Sequence, residues 1–140
     1  MTTLIMGVMA GVAVPRIMYN LSDYRAESAA NRIAADLRLA QKYARTTGSS
    51  ETATFDVVND RYSFSTIPDP KTKAQVYSVN VSESPYSAMI SSVNMGGGTS
   101  VTFNGLGFPE TSGTLSVTAG QSSWIIKLEA ASGSLTVGEE

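Results

Sequence analysis

The chain has 140 residues, 42% of them hydrophobic and 16% charged, a balance that suits one domain with its own core and a helix ahead of it. It contains no Cys and no His, which removes disulfides, Cys/His zinc sites, thiol nucleophiles and Ser-His-Asp catalysis together. The net charge of −2 is unevenly spread: residues 1–48 carry six basic and three acidic side chains and the remainder four and nine, so the second part lacks the clustered cations that nucleic-acid phosphates require.

The uncharged run Leu4–Val14 is 11 residues long, whereas a membrane-spanning helix needs roughly 20. No Lys or Arg precedes it and Arg16 follows it. From these residues alone a buried helix, part of a membrane anchor, a signal-peptide core and an interfacial helix all remain open. Gly7-Val-Met-Ala-Gly11 is a G-x-x-x-G pattern that lets a second helix approach the backbone closely; two incidental glycines are the other reading. Pro15 has no N–H, and its ring clashes with the carbonyl one turn earlier. That predicts a bend or a locally unwound turn over 11–15.

Beyond the proline, Ala26, Ala30, Ile33, Leu37, Ala40 and Ala44 step by four and three, which is one narrow stripe of a helix. Small residues there imply a helix lying very close to what it covers. Arg38, Lys42 and Arg45 fall in the last turns, where cations complement the helix dipole, and Gly48 suits the position just past the end. They read as a solvated face rather than a phosphate site.

After Gly48 the period changes to two. Glu51–Val58 and Tyr62–Ile67 form an expected hairpin with Asn59-Asp60 as its turn, and Gln75–Val81 and Tyr86–Val93 are further strands. Gly96-Gly97-Gly98 reads as a loop, because no Lys-Ser/Thr pair follows to make it a phosphate cradle. The remainder predicts short antiparallel strands at 100–104, 105–109, 113–118, 122–128 and 134–137, a meander rather than βαβ units. The expected class is α+β: a long N-terminal helix packed on a small antiparallel β domain of two sheets or a sandwich. The expected division is 1–15 as an apolar membrane or assembly half, 16–48 as an amphipathic half and 49–140 as a β-rich domain. Asp56, Asp60, Asp69, Glu83, Glu110 and Glu129 are scattered near turns, so no catalytic constellation, metal or cofactor is expected. Asp69 with backbone carbonyls is the one place where a loop calcium site could be imagined.

Several stretches resemble the type IV pilin-like proteins: Gly7, the run Val12-Ala13-Val14-Pro15, and Ala29-Ala-Asn-Arg-Ile-Ala-Ala-Asp-Leu-Arg-Leu-Ala40. With Val101-Thr-Phe-Asn-Gly-Leu-Gly107 and Trp124-Ile-Ile-Lys-Leu128 they are most similar to the pseudopilin H and FimT family of type II secretion and type IV pilus systems. Family members open with a basic leader, a Gly cut by a prepilin peptidase, then Phe-Thr-Leu-x-Glu with a methylated N-terminus. Aligned on Val14-Pro15 this chain starts about seven residues late, and restoring them would give an apolar run of about 20, enough to span a bilayer. The resemblance therefore suggests an N-terminally truncated member.

It also implies a non-catalytic filament subunit, first held in the inner membrane with its β domain in the periplasm. The implied partners are other pilin-like subunits, the membrane, and a prepilin peptidase if a leader is present. Assembly would run through Gly7, Gly11 and Pro15. A FimT-like DNA-binding minor pilin is the alternative, set back by a tail in which Lys127 is the only base after Lys73. A secreted β-sandwich binding module is a third reading, and would require a mature start near Ala13 or Pro15.

Overall fold

The computed structural model describes the backbone of residues 2–73 and 76–139 and the side chains of residues 21–73 and 76–139. One helix, α1 (Thr2–Thr47), runs unbroken for 46 residues. The unwound turn expected over 11–15 is not there: a single proline removes one N–H bond, and the flanking turns carry the helix past it. The helix stops where Gly48 takes φ +67°, a left-handed conformation that costs glycine nothing. The Thr46 and Thr47 hydroxyls donate back to the carbonyls one turn earlier, those of Lys42 and Tyr43, at 2.8 and 2.9 Å.

Eight strands follow: β1 (Glu51–Asp56), β2 (Arg61–Pro68), β3 (Val76–Asn80), β4 (Met89–Met95), β5 (Ser100–Phe103), β6 (Gly113–Ala119), β7 (Ser122–Leu128) and β8 (Leu135–Glu139). They make two four-stranded sheets in the orders β3-β2-β1-β5 and β4-β6-β7-β8, with antiparallel pairing throughout.

Two local expectations are corrected. The first hairpin turns through four residues, Val57–Asp60, because Asp56 pairs directly with Arg61. The Asp56 carboxylate accepts from the backbone N–H of Val58 and Asn59 and from the Asn59 side chain; that last bond, first among several, holds its carboxyl below the usual range. Asp60 closes the turn at φ 53°. Residues 105–109 form no strand beyond a bridge between Phe103 and Pro109. The Asn104 side chain accepts from the N–H of Leu106 and Phe108 and curls the segment into a loop instead of offering it to a ladder.

The helix lies chiefly on β6, β7 and β8 and along β1. Phe55, Tyr62, Phe64 and Tyr77 of the first sheet make a chain of aromatic contacts with ring centroids 5.8, 5.9 and 5.6 Å apart. Leu115, Val117, Ile126 and Leu128 line the facing part of the second sheet, and the same core takes in the inward stripe of α1.

Candidate functional site

The helix packs against strands of both sheets, and its attachments fix how the β domain is held to it. Ala26, Ala30, Ile33, Leu37, Ala40 and Ala44 have no exposed surface. Four of the six are alanine, which keeps the helix backbone close to the strands.

Polar contacts fasten the same face at three levels. Near its upper, N-terminal end the Trp124 indole N–H donates to Asp23 Oδ1 at 3.1 Å. Beside it Gly120, at φ +60°, lies so close to Ser22 that a Cβ there would stand 2.6 Å from the Ser22 hydroxyl oxygen. At the lower end Gln41 Nε2 donates to the Gly133 carbonyl at 2.8 Å and Arg38 to the Leu135 carbonyl at 3.3 Å. A Cβ on Gly107 would stand 2.7 Å from Arg45 Cγ, and one on Gly105 would stand 2.7 Å from the Gly48 carbonyl oxygen, so the 104–108 loop lies directly on the helix end.

The middle level is a cluster that periodicity alone does not find. Asp36 Oδ2 accepts from Arg32 Nε at 3.1 Å, from the Tyr62 hydroxyl at 2.5 Å and from the Tyr77 hydroxyl at 3.1 Å. Arg32 also donates to the hydroxyls of Tyr77 and Tyr86. Burial, and after it the Asp36 charge, pushes the Tyr62 phenol well above its usual range. Burial likewise raises the Tyr77 phenol. The bond with Tyr77, ahead of Asp36, makes the Arg32 guanidinium hold its proton more firmly still. The available signal was Arg32-x-x-x-Asp36, one helical turn apart, with tyrosines at inward positions of β2 and β3.

A second buried carboxylate, Glu51, is fully enclosed at the start of β1. Its Oε1 accepts from Ser65 Oγ and the Thr66 N–H at 3.0 Å each, and its Oε2 takes the Thr66 hydroxyl. Both carboxylates are engaged in holding elements together. Asp69 accepts the N–H groups of Lys71 and Thr72, which makes it a turn former. Among the described residues no group of three or more His, Cys, Asp or Glu could hold a metal. An open groove of about 840 Å³ runs over the lower part of the second sheet, lined by Asn94, Ser112, Thr114, Lys127 and Thr136 among others. Gly7, Gly11 and Pro15 lie within α1, and their surroundings fall outside the described residues.

A family model described as type II transport protein GspH matches residues 29–133, three quarters of the chain. The chain belongs to the GspH family. As a GspH-family protein it is a structural filament subunit of type II secretion or type IV pilus systems. No curated protein matches it by sequence. Two structures of the minor pseudopilin EpsH from the type II secretion system of Vibrio cholerae superpose with TM-score 0.64 at 16% identity. They cover 83% and 82% of this chain and 97% of theirs. The type IV minor pilin FimU of Pseudomonas aeruginosa superposes with TM-score 0.60 at 15% identity, covering 81% of this chain and 87% of its own. At such identities the likeness speaks to the fold: one helix against two antiparallel sheets. The matched region contains the Arg32–Asp36 cluster, β1 to β7 and the lower fastenings apart from the Leu135 carbonyl, which lies two residues beyond it.

Proposed function

We propose that this GspH-family chain is a minor pseudopilin of type II secretion that works by packing rather than by turnover. In this reading the apolar run Leu4–Val14 belongs to a segment held in the inner membrane, with the β domain in the periplasm. On assembly that segment leaves the lipid and packs against the helices of neighbouring subunits, Gly7 and Gly11 allowing close approach and Pro15 marking the passage from apolar to amphipathic helix. Residues 1–15, 16–48 and 49–140 then serve as assembly half, clamp half and periplasmic domain. A chain carrying a leader ahead of this helix would also be a prepilin-peptidase substrate.

The observation that carries the reading is the family match over 29–133 on a domain whose helix begins at Thr2, far ahead of the contacts at Ser22 and Asp23. No helix among the described residues is long and apolar enough to cross a membrane. The membrane step therefore rests on the family and on Leu4–Val14.

Because the chain has no Cys, a single introduced thiol reports unambiguously. Ala10→Cys in cells making the secretion filament is expected to crosslink to neighbouring pilin-like subunits bearing a thiol at the matching depth. Deletion of the protein is expected to abolish export of folded substrates. Unimpaired export after deletion, with no crosslink, would overturn the proposal.

A further inference from the structure

A recess of about 480 Å³ lies between the helix and the loop that joins β3 to β4, within the roughly 300–1,000 Å³ that ligand pockets occupy. Tyr24, Ser28, Asn31 and Arg32 of α1 form one wall, and Pro85 and Tyr86 of the loop form the other. The helical residues fall at i, i+4, i+7 and i+8, turned away from the enclosed alanine stripe. The recess therefore runs along two turns of the helix and not across an end of the domain. Its nearer limit, Tyr24, stands about 14 Å of helix beyond Pro15.

The loop wall is held from several sides. The Val81 N–H donates to the Asp60 carbonyl at 2.9 Å and the Ala88 N–H to the Val81 carbonyl at 2.8 Å, while the N–H groups of Tyr86 and Ser87 both donate to the Glu83 carbonyl, at 3.1 and 3.0 Å. Ser87 takes φ 46°, a left-handed conformation that a serine keeps only where its surroundings impose it. Pro85 and Tyr86 are thereby presented to the helix in a fixed position.

The polar groups of the recess are rich in donors. Arg32 gives three of its N–H groups to Asp36, Tyr86 and Tyr77, which leaves two of the guanidinium's five. The Tyr86 hydroxyl oxygen accepts from Arg32, so its own hydrogen is left to donate, and Asn31 adds an amide at an exposed position. Tyr24 is 67% exposed and offers a ring face at the rim. The charge around the site does not favour an anion: Arg32 is matched by Asp36 at 3.1 Å, and Glu27 and Glu83 flank the recess against Arg25.

Aromatic walls, unused donors and acidic flanks suit a ligand that is apolar, rich in carbonyl acceptors, poor in N–H groups and accompanied by cations. Proline-rich chain has that chemistry, because proline has no N–H and the polyproline II helix leaves its carbonyls unbonded. We propose that the recess takes a proline-rich segment of another protein, with a basic residue beside it. Its prolines lie against Tyr24 and the Pro85–Tyr86 wall, and its carbonyls accept from Arg32, Asn31 and the Tyr86 hydroxyl. Prolines three residues apart stand ~9 Å apart in that helix, within the ~12 Å of α1 between Tyr24 and Arg32. A sugar ring would also stack on tyrosine, but it brings as many donors as acceptors, which this donor-rich set does not match. The proposal goes beyond the filament reading and uses none of the residues that reading assigns to assembly.

The test is fluorescence anisotropy of a labelled peptide of Pro-Pro-Ala repeats with an arginine at each end, titrated with the full chain in a polyoxyethylene detergent. Saturable binding is expected, and the same peptide with alanine at every proline should bind at least about tenfold more weakly. Tyr24→Ala, at an exposed position, is expected to keep the circular dichroism spectrum and to weaken binding at least about tenfold, as loss of an aromatic anchor does. Tyr86→Phe keeps the wall, removes a donor and should weaken binding about threefold. Glu27→Lys with Glu83→Lys should weaken binding of the arginine-ended peptide and spare one with neutral ends. Absence of saturable binding, equal binding of the alanine peptide, or indifference to Tyr24→Ala would overturn the proposal. So would displacement of the peptide by maltotetraose or chitotetraose, which would assign the recess to a sugar. Ala10→Cys crosslinking is expected to survive Tyr24→Ala, so failure of this contact and failure of the filament reading are told apart.

Discussion

Trp124 and Asp23 are 101 residues apart in sequence and are joined by an indole N–H to carboxylate bond of 3.1 Å. The bond ties β7 to the helix at the uppermost described level of the clamp. Trp124→Phe removes the donor together with part of the ring, and is expected to cost at least about 1–2 kcal/mol in urea unfolding, the bond to a charged group adding to lost packing. In a double-mutant cycle with Asp23→Ala the coupling should be about 1 kcal/mol; a coupling near zero would show that the bond does not bear on stability.

Asp36 collects three donors on one oxygen beneath almost complete cover. Asp36→Ala leaves the Tyr62 hydroxyl, on a residue only 1% exposed, without its acceptor, and strips Arg32 of its counter-charge. The expected loss is about 2–4 kcal/mol, from an unsatisfied buried group and a broken, partly exposed ion pair. Far-ultraviolet circular dichroism during chemical unfolding would measure it.

The same cluster predicts alkaline sensitivity. Tyr62 and Tyr77 have folded-state pKa values above their usual range, chiefly through burial. The unfolded chain releases these phenolic protons near pH 10 while the folded chain retains them. Above that pH the folded state binds more protons than the unfolded, so stability falls as pH rises. It is fully present below about pH 10. Tyr62→Phe should flatten the decline in melting temperature between neutral pH and pH 11, and an unchanged slope would refute the assignment.

The close approach of loop 104–108 to the helix end leaves no room at Gly105 or Gly107. Gly107→Ala adds a Cβ in a left-handed conformation against Arg45, and Gly105→Ala drives one into the backbone carbonyl of Gly48. Each should destabilise by about 1–3 kcal/mol. Gly138→Ala, with open space around its Cβ, is the control expected to change little.

On the inward stripe, Leu37→Ala should cost about 2–5 kcal/mol through a cavity, and Ala40→Leu about 1–3 kcal/mol through overpacking. A neutral Ala40→Leu would mean that the helix stands further from the sheets than the enclosed alanines indicate.

The helix and the antiparallel sheets were legible because their signals are periodic. Residues 26–44 step by three and four, the strands alternate, and Gly48 marks the change between the two. What escaped depends on side chains that replace backbone partners. Asn104, read as the last residue of a strand, instead holds the N–H groups of Leu106 and Phe108 on its side-chain oxygen. Asp56 likewise lengthened a turn read as two residues. The Asp36 cluster lay beyond pattern reading because its partners, Tyr62 and Tyr77, come from 26 and 41 residues away.

The strand orders carry one more consequence. The first sheet takes β5 across from beyond β4, and the second takes β4 from before β5, so each sheet borrows a segment from the other's stretch of chain. A cut near residue 82 would yield two pieces, the earlier without its β5 edge and the later with a surplus strand that fits there. Such halves should recombine as the later piece supplies β5 to the earlier one, which would make the domain usable as a split reporter.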